Sequence, residues 1–302
     1  MKFSAYDDIV HITGKWEGER LPDGRPKVSD DILRRLRDLT LEEAHGPLWN
    51  AGYIYQFEGR FRTTHPGVKL VGRAVTATMV PKRPDLDDIL MDYGLKEEGR
   101  RGTMNQWVID GLVEDDVAVV DMFDKIYEGT FIGGNLTTAI ASRTKRGGAV
   151  IWGGVRDLEQ MVKIPGIQTY YRSTDPMWIK DVTLTGLNTP CRIGNAICLP
   201  GDVVFGTMTG VLFIPPHMAE SCVVRAEKSH IRDVFGFIRL EEGVYSTAQI
   251  DTPWTVPMME DFIDWFNSSP EAGKYRHLEW ESDMEEARER AKAGYQRPSV
   301  RP

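Results

Sequence analysis

The chain has 302 residues, with 37 Lys and Arg against 45 Asp and Glu and a net charge of −8. At 41% hydrophobic residues it is too apolar to be disordered throughout, and it is long enough to bury a sizeable core. The acidic balance, with no basic run longer than Arg100–Arg101 or Lys145–Arg146, argues against a nucleic-acid partner.

Along the chain, Met1–Gly14 lacks a basic end followed by an apolar stretch, so no secretory signal is expected and the cytoplasm is the expected location. Glu17–Lys27, rich in Gly, Pro and charge, reads as a loop. Ser29 should then cap a helix whose Ile32, Leu33, Leu36 and Leu39 share a face. Thr40 and Glu43 form a capping-box pattern that starts a second short helix. Val71 to Met79 reads as a strand ahead of the Pro81–Pro84 breaker. Helices near Leu86–Tyr93 and Met104–Leu112 lead to Val117–Asp121, an apolar run suited to a strand buried on both faces. Gly133-Gly134-Asn135 opens another helix, and Gly147–Trp152 is a second buried strand that ends at Gly153-Gly154-Val155-Arg156-Asp157. This alternation is an α/β pattern.

Beyond Asp157 the segments shorten. Thr169–Arg172, Val182–Leu187, Asn195–Leu199, Asp202–Gly206 and Gly210–Pro215 read as a β layer packed on the α/β half. A helix from about His217 to Arg232 follows. The tail holds an aromatic helix, Met258–Phe266, and a charged run, Ser282–Ala293, that suits a solvated helix with pairs such as Glu286/Arg290. Its Trp254, Phe262, Trp265, Phe266, Tyr275 and Trp280 are too apolar for a free linker, so the tail should wrap the core or a neighbouring subunit and not form a second domain. No apolar stretch approaches the roughly 18 residues of a membrane helix, so no membrane contact is expected. Cys191, Cys198 and Cys222 lack disulfide or zinc spacing and read as buried or free thiols. His11, His45, His65, His217 and His277 have no paired spacing and read as loop, cap or packing residues.

Chemistry concentrates at two glycine turns. Glycines let backbone N–H groups approach a ligand, and the N-terminus of the helix after Gly134 favours an anion. Arg156 offers a planar fork for a carboxylate and Asp157 an oxygen ligand for a hard cation. Asp121 and Asp124 could face the same strand ends or cap a loop, and Asp202 in Pro-Gly-Asp reads as a turn residue.

The run from Gly134-Asn-Leu-Thr-Thr-Ala to Trp152-Gly-Gly-Val-Arg156-Asp157 resembles the central motif of the ribonuclease activity regulator A-like family, which includes class II 4-hydroxy-4-methyl-2-oxoglutarate/4-carboxy-4-hydroxy-2-oxoadipate aldolases. Gly72-Arg-Ala-Val-Thr-Ala, Gly166-Ile-Gln-Thr-Tyr-Tyr-Arg172, Pro200-Gly-Asp-Val-Val-Phe-Gly and Gly210-Val-Leu-Phe-Ile-Pro215 add to the resemblance in order, over roughly residues 30–235. It implies an α/β fold with a three-layer β/β/α swivelling-type core, an N-terminal arm over 1–29, the catalytic core over 30–235 and a C-terminal extension over 236–302. It also implies a homotrimer or homohexamer with the site between subunits. By the same resemblance, Asp157 holds Mg²⁺ or Mn²⁺, Arg156 holds the carboxylate or enolate oxygen of a small 2-oxo acid, and the amides after Gly134, those of Asn135 and Leu136, hold the carboxylate. A further metal-binding group, Glu227 or its rival His230, would come from a neighbouring subunit.

The implied reaction is retro-aldol cleavage of a 4-hydroxy-2-oxo acid or decarboxylation of oxaloacetate. One departure matters. Twenty-one positions before the arginine, where the family usually carries an acid, this chain has Asn135, which can orient water but cannot act as a base. Trp152 also departs, as a core aromatic or as a wall that narrows the pocket. The alternatives are a non-catalytic protein-binding regulator on the same fold, or a lyase or hydratase for a bulkier oxo acid.

Overall fold

The computed structural model describes residues 3–294; the first two residues of the arm and 295–302 of the tail lie outside the described residues. The helices and strands in order are α1 (Tyr6–Ile12), α2 (Asp30–Leu36), α3 (Leu41–Asn50), β1 (Phe57–Glu58), β2 (Arg62–Thr63), β3 (Leu70–Pro81), α4 (Pro84–Asp92) and α5 (Met104–Asp110). Next come β4 (Asp116–Asp121), β5 (Thr130–Ile132), α6 (Gly134–Thr144), β6 (Gly148–Val155), α7 (Leu158–Met161), β7 (Gln168–Thr174) and β8 (Val182–Leu187). Then follow β9 (Cys191–Ile193), β10 (Ala196–Cys198), β11 (Val203–Thr207), β12 (Gly210–Ile214), α8 (Ala219–Glu241), α9 (Thr247–Ile250), α10 (Val256–Ser268) and α11 (Glu281–Lys292).

Local chemistry starts the early helices where the sequence places them. Ser29 Oγ accepts the Ile32 N–H at 3.4 Å at the head of α2. At α3, Thr40 Oγ1 accepts the Glu43 N–H while Glu43 Oε2 accepts the Thr40 N–H, the reciprocal box expected from their spacing. Between α4 and α5 the sequence shows no signal for the single π-helical turn at Tyr93–Glu97 that continues α4.

Ten strands form one mixed sheet in the order β1-β12-β11-β3-β4-β6-β7-β2, with β5 paired to β6 and β8 to β3. Its centre is parallel: Val117 pairs with Ala74 on one side and Gly148 on the other. Because side chains alternate along a strand, β4 and β6 feed two cores. Ala118, Val120, Ala149 and Ile151 pack with Trp107 and Val108 of α5 and Ile140 of α6. Val117, Val119, Val150 and Trp152 face the other way, against Cys191, Ile193, Ala196 and Cys198 of the separate β9–β10 hairpin. Helices, sheet and hairpin make a three-layer α/β core of the expected kind. All three cysteines are buried and none forms a disulfide.

The chain divides into two compact units between Val223 and Val224, inside α8 and not at the expected 235/236 boundary. α8 itself runs nine residues further than the periodicity to Arg232 suggests. In the second unit, Ile231, Phe235, Trp254, Phe262, Phe266 and Trp280 form a cluster of their own, with the Phe262 and Trp280 rings 4.6 Å apart edge to face. The tail aromatics thus bury against one another, which is why they read as too apolar for a linker. No helix among the described residues is long and apolar enough to cross a membrane.

Candidate active site

Parallel strands β4 and β6 end on the same side of the sheet, where ligand sites of α/β folds gather. β6 runs out at Val155, and Arg156 turns off it with its N–H donating to the Ile132 carbonyl at 3.0 Å. Asp157 follows in the left-handed region at φ 55°, a conformation that aspartate tolerates better than most residues because its short side chain bonds locally. That turn swings the carboxylate back onto the head of α6. Its Oδ2 accepts the Gly134 N–H at 3.2 Å and lies 3.4 Å from Arg156 Nη1, while its Oδ1 has no hydrogen-bond partner among the described residues.

The glycine turn exists to allow this approach. A Cβ at Gly133 would land on Asp157 Oδ2 and crowd the Arg156 stem, and one at Gly134 would land on Gln160 Oε1. With both glycines in place, Asp157, Arg156 and the half-turn bearing Gln160 close over the start of α6. The next two amides, of Asn135 and Leu136, have no acceptor among the described residues, as the first turn of a helix leaves them. These N–H groups and the helix dipole make a ready anion seat beside a guanidinium and a carboxylate. The side chains of Arg156 and Asp157 are 38% and 28% exposed, so the pair is open to a ligand and not sealed in packing. Asn135 is exposed and its amide makes no hydrogen bond among the described residues, so no second carboxylate stands on this turn.

The neighbouring candidates separate by role. Asp121, the last residue of β4, is lifted above the usual carboxylate range by burial, against which the Phe123 N–H at 2.7 Å and Arg192 pull it back. It caps a loop. Asp124 pairs with Arg172 at 2.9 Å, and the Arg172 guanidinium lies 4.4 Å over Trp152. Trp152 is 5% exposed, with Phe61 edge-on at 5.5 Å, which is the core alternative for this residue. Asp202 accepts the Leu199 N–H, as a turn aspartate should.

Asp157 belongs to the first compact unit, Glu227 and His230 to the second. There the buried Glu227 meets His277 Nε2 at 3.0 Å through its Oε2, and the His230 ring packs 5.5 Å from Tyr275. Among the described residues no three His, Cys, Asp or Glu side chains converge as a metal cluster. Sequence reasoning missed Gln160. Its only signal is its place one helical turn beyond the Arg-Asp pair, on the face that meets Gly134.

Residues 27–213 match the sequence model of the RraA-like family, described as Aldolase/RraA. The fold is shared with Streptomyces coelicolor RraAS2, described as an unusual member of the RNase ES inhibitor RraA protein family, at 20% identity and a TM-score of 0.59 over 71% of this chain and 98% of that one. It is shared equally with an uncharacterized protein from Pseudomonas syringae pv. tomato, at 18% identity and a TM-score of 0.59 over 75% of this chain and 100% of that one. At such identities the structural likeness speaks for the fold, and it is the sequence match over more than half of the chain that decides kinship: this protein belongs to the RraA-like family, which includes both aldolases and ribonuclease inhibitors.

Proposed function

We propose that this protein is a divalent-metal-dependent carbon–carbon lyase, acting by retro-aldol cleavage of a 4-hydroxy-2-oxo acid or by decarboxylation of oxaloacetate, with pyruvate as product. The observation that carries the reading is the Asp157 carboxylate, held on the Gly134 N–H beside Arg156 with one oxygen unpartnered and two free amides next to it. An oxygen-only, partly exposed site with one carboxylate suits Mg²⁺ or Mn²⁺, which keep several waters and take few protein ligands. When bound, the cation supplies positive charge against the enolate oxygen that either reaction develops.

The chain's own residues do the rest. The Asn135 and Leu136 N–H groups seat a substrate carboxylate at the head of α6, and the Arg156 fork adds a charge-assisted bond that holds the 2-oxo group in line. The amides and the Arg156 backbone are set before substrate arrives, since the turn is held by the Gly134 N–H and by the Arg156 N–H bond to Ile132. Asp157 would be the metal ligand of this unit, with Glu227 or His230 of a neighbouring copy as the partner group. Asn135 would position water through its amide without taking a proton.

The test is direct. Oxaloacetate and a panel of 4-hydroxy-2-oxo diacids, each with Mg²⁺ or Mn²⁺, should yield pyruvate, and Asp157→Asn should remove the metal-dependent part. No metal-dependent pyruvate from any of them, with the variant indistinguishable, would sink the lyase reading. Asn135 supports a second reading, that of a non-catalytic regulator that binds a protein on this fold. Under it Asn135→Asp would leave the protein inert, whereas under the first it should raise turnover.

A further inference from the structure

A concavity of about 500 Å³ lies in the first unit, between the N-terminal arm and the β10–β12 region. It is at the other end of the sheet from Arg156 and Asp157. Asp202 precedes Val203, which pairs with Arg73 and Ile214, and Arg73 in turn pairs with Asp116 at the start of β4. The cavity shares no lining residue with the Arg156–Asp157 site.

Its walls are apolar, built from Ile12, Trp16, Ile197, Leu199 and Pro215. The arm that supplies two of them is held in shape by Arg20, whose guanidinium donates to the Thr13 hydroxyl at 2.8 Å and to the Thr13 and Trp16 carbonyls at 3.1 Å. The polar groups gather on one chain: Lys15 Nζ donates to Tyr53 Oη at 3.4 Å, and Tyr53 Oη meets His217 Nε2 at 3.1 Å. Deeper in, Asp202 is 2% exposed, and its Oδ1 has no hydrogen-bond partner among the described residues although Oδ2 accepts the Leu199 N–H. A buried polar atom left unpaired costs free energy unless something answers it.

We propose that this cleft is a ligand site, separate from the Arg156–Asp157 site, for a small organic carboxylate with an apolar body: the body lies against the Ile12, Trp16 and Ile197 walls, and the carboxylate meets Lys15 and Tyr53. Size and composition match small-molecule sites, which are largely apolar with a few convergent polar groups. The charge balance selects an anion. Among the described residues Lys15 is the one lysine or arginine lining the cleft and Asp202 the one carboxyl. Burial pushes Asp202 up to about 8, so at neutral pH it carries its proton and adds a donor in place of a negative charge. Burial and the neighbouring Lys15 hold His217 below the usual imidazole value, so it stays neutral and keeps the Tyr53 contact.

The experiment titrates phenylacetate and its neutral relative phenylacetamide into the full chain, read by calorimetry and by saturation-transfer NMR. Lys15 and Ile197 are both exposed, so Lys15→Met and Ile197→Trp leave the core intact while removing the charge and filling the cleft. Saturable phenylacetate binding is expected, at least about ten-fold weaker for phenylacetamide and for Lys15→Met, a factor usual for one charge-assisted contact. It should be lost in Ile197→Trp and unchanged in Arg156→Ala. Three results each overturn the proposal: no saturable binding, equal binding of acid and amide, or binding that survives Ile197→Trp but disappears in Arg156→Ala.

Discussion

Two arginine–aspartate pairs stand at opposite ends of one sheet and do different work. At the start of β4, Arg25 grips Asp116 with both arms of its fork, at 2.8 and 3.0 Å, and the two side chains are 1% and 0% exposed. Past the end of β6, Arg156 and Asp157 approach only to 3.4 Å and are 38% and 28% exposed. The same two residue types thus make a sealed strut in one place and an open, incompletely satisfied pair in the other. Burial and leftover bonding capacity, and not residue identity, leave the second pair open to a ligand and the first closed to one.

That contrast sets the order of the effects. The largest belongs to the sealed pair: Arg25→Ala leaves a buried carboxylate without its partner and should cost about 3–5 kcal/mol in urea unfolding. Replacing Arg25 and Asp116 together by methionine and leucine should recover most of that loss, and failure to do so would show that the pair does more than cancel its own charges. At the open end, Arg156→Ala should leave the unfolding midpoint nearly untouched; under the proposed lyase function it should lower kcat/KM for pyruvate formation by the equivalent of about 1.5–3 kcal/mol, roughly ten- to a hundred-fold. A variant that loses stability and activity together would erase the distinction.

Asp202 sharpens the picture at the sealed end. Its carboxyl ionises near 4 in the unfolded chain but holds its proton to about 8 in the fold. Between those values the unfolded state binds fewer protons, so stability falls as pH rises, by up to about 1.4 kcal/mol per pH unit. Asp202→Asn should flatten that slope, leaving the proteins alike near pH 4 and the variant more stable at pH 8. Parallel slopes from pH 4 to 8 would place the proton elsewhere. The smallest effect is expected for the exposed Arg172–Asp124 pair: Asp124→Asn should change stability by about 0.2–1 kcal/mol, and less in high salt.

Much of this was legible beforehand, for local reasons. The caps at Ser29 and Thr40 act within three residues, and the β4 and β6 runs alternate between two cores, so both could be read from short windows. The glycine turn and the Arg-Asp pair were visible as residues, and the resemblance gave them a role. Their contact was not visible, because it depends on one left-handed residue at the end of a strand. Arg25 hides for the opposite reason: in a loop rich in Gly and charge it reads as solvated, yet besides the nearby Asp23 it meets the buried Asp116, ninety-one residues away. The two-residue strands β1 and β2 are too short to show a period, and the helix α1 has only Ile9 buried, so its packing leaves little trace in the pattern. The aromatic tail reads as too apolar for a linker and is expected to wrap the core or a neighbouring subunit, whereas Val224–Pro302 forms a compact unit of its own. Whether such residues meet a neighbour or one another is a three-dimensional matter, and within the second unit they meet one another.

The left-handed backbone at Asp157 narrows what can stand there. Aspartate, asparagine and glycine occupy that region at little cost, while alanine and the β-branched residues carry a penalty of about 1 kcal/mol or more. The usual alanine replacement would therefore mix strain with chemistry. Aspartate, asparagine and glycine instead form a graded series at constant chain path: full charge, dipole only, and neither. Any property of the protein that follows that series reports on the carboxylate itself.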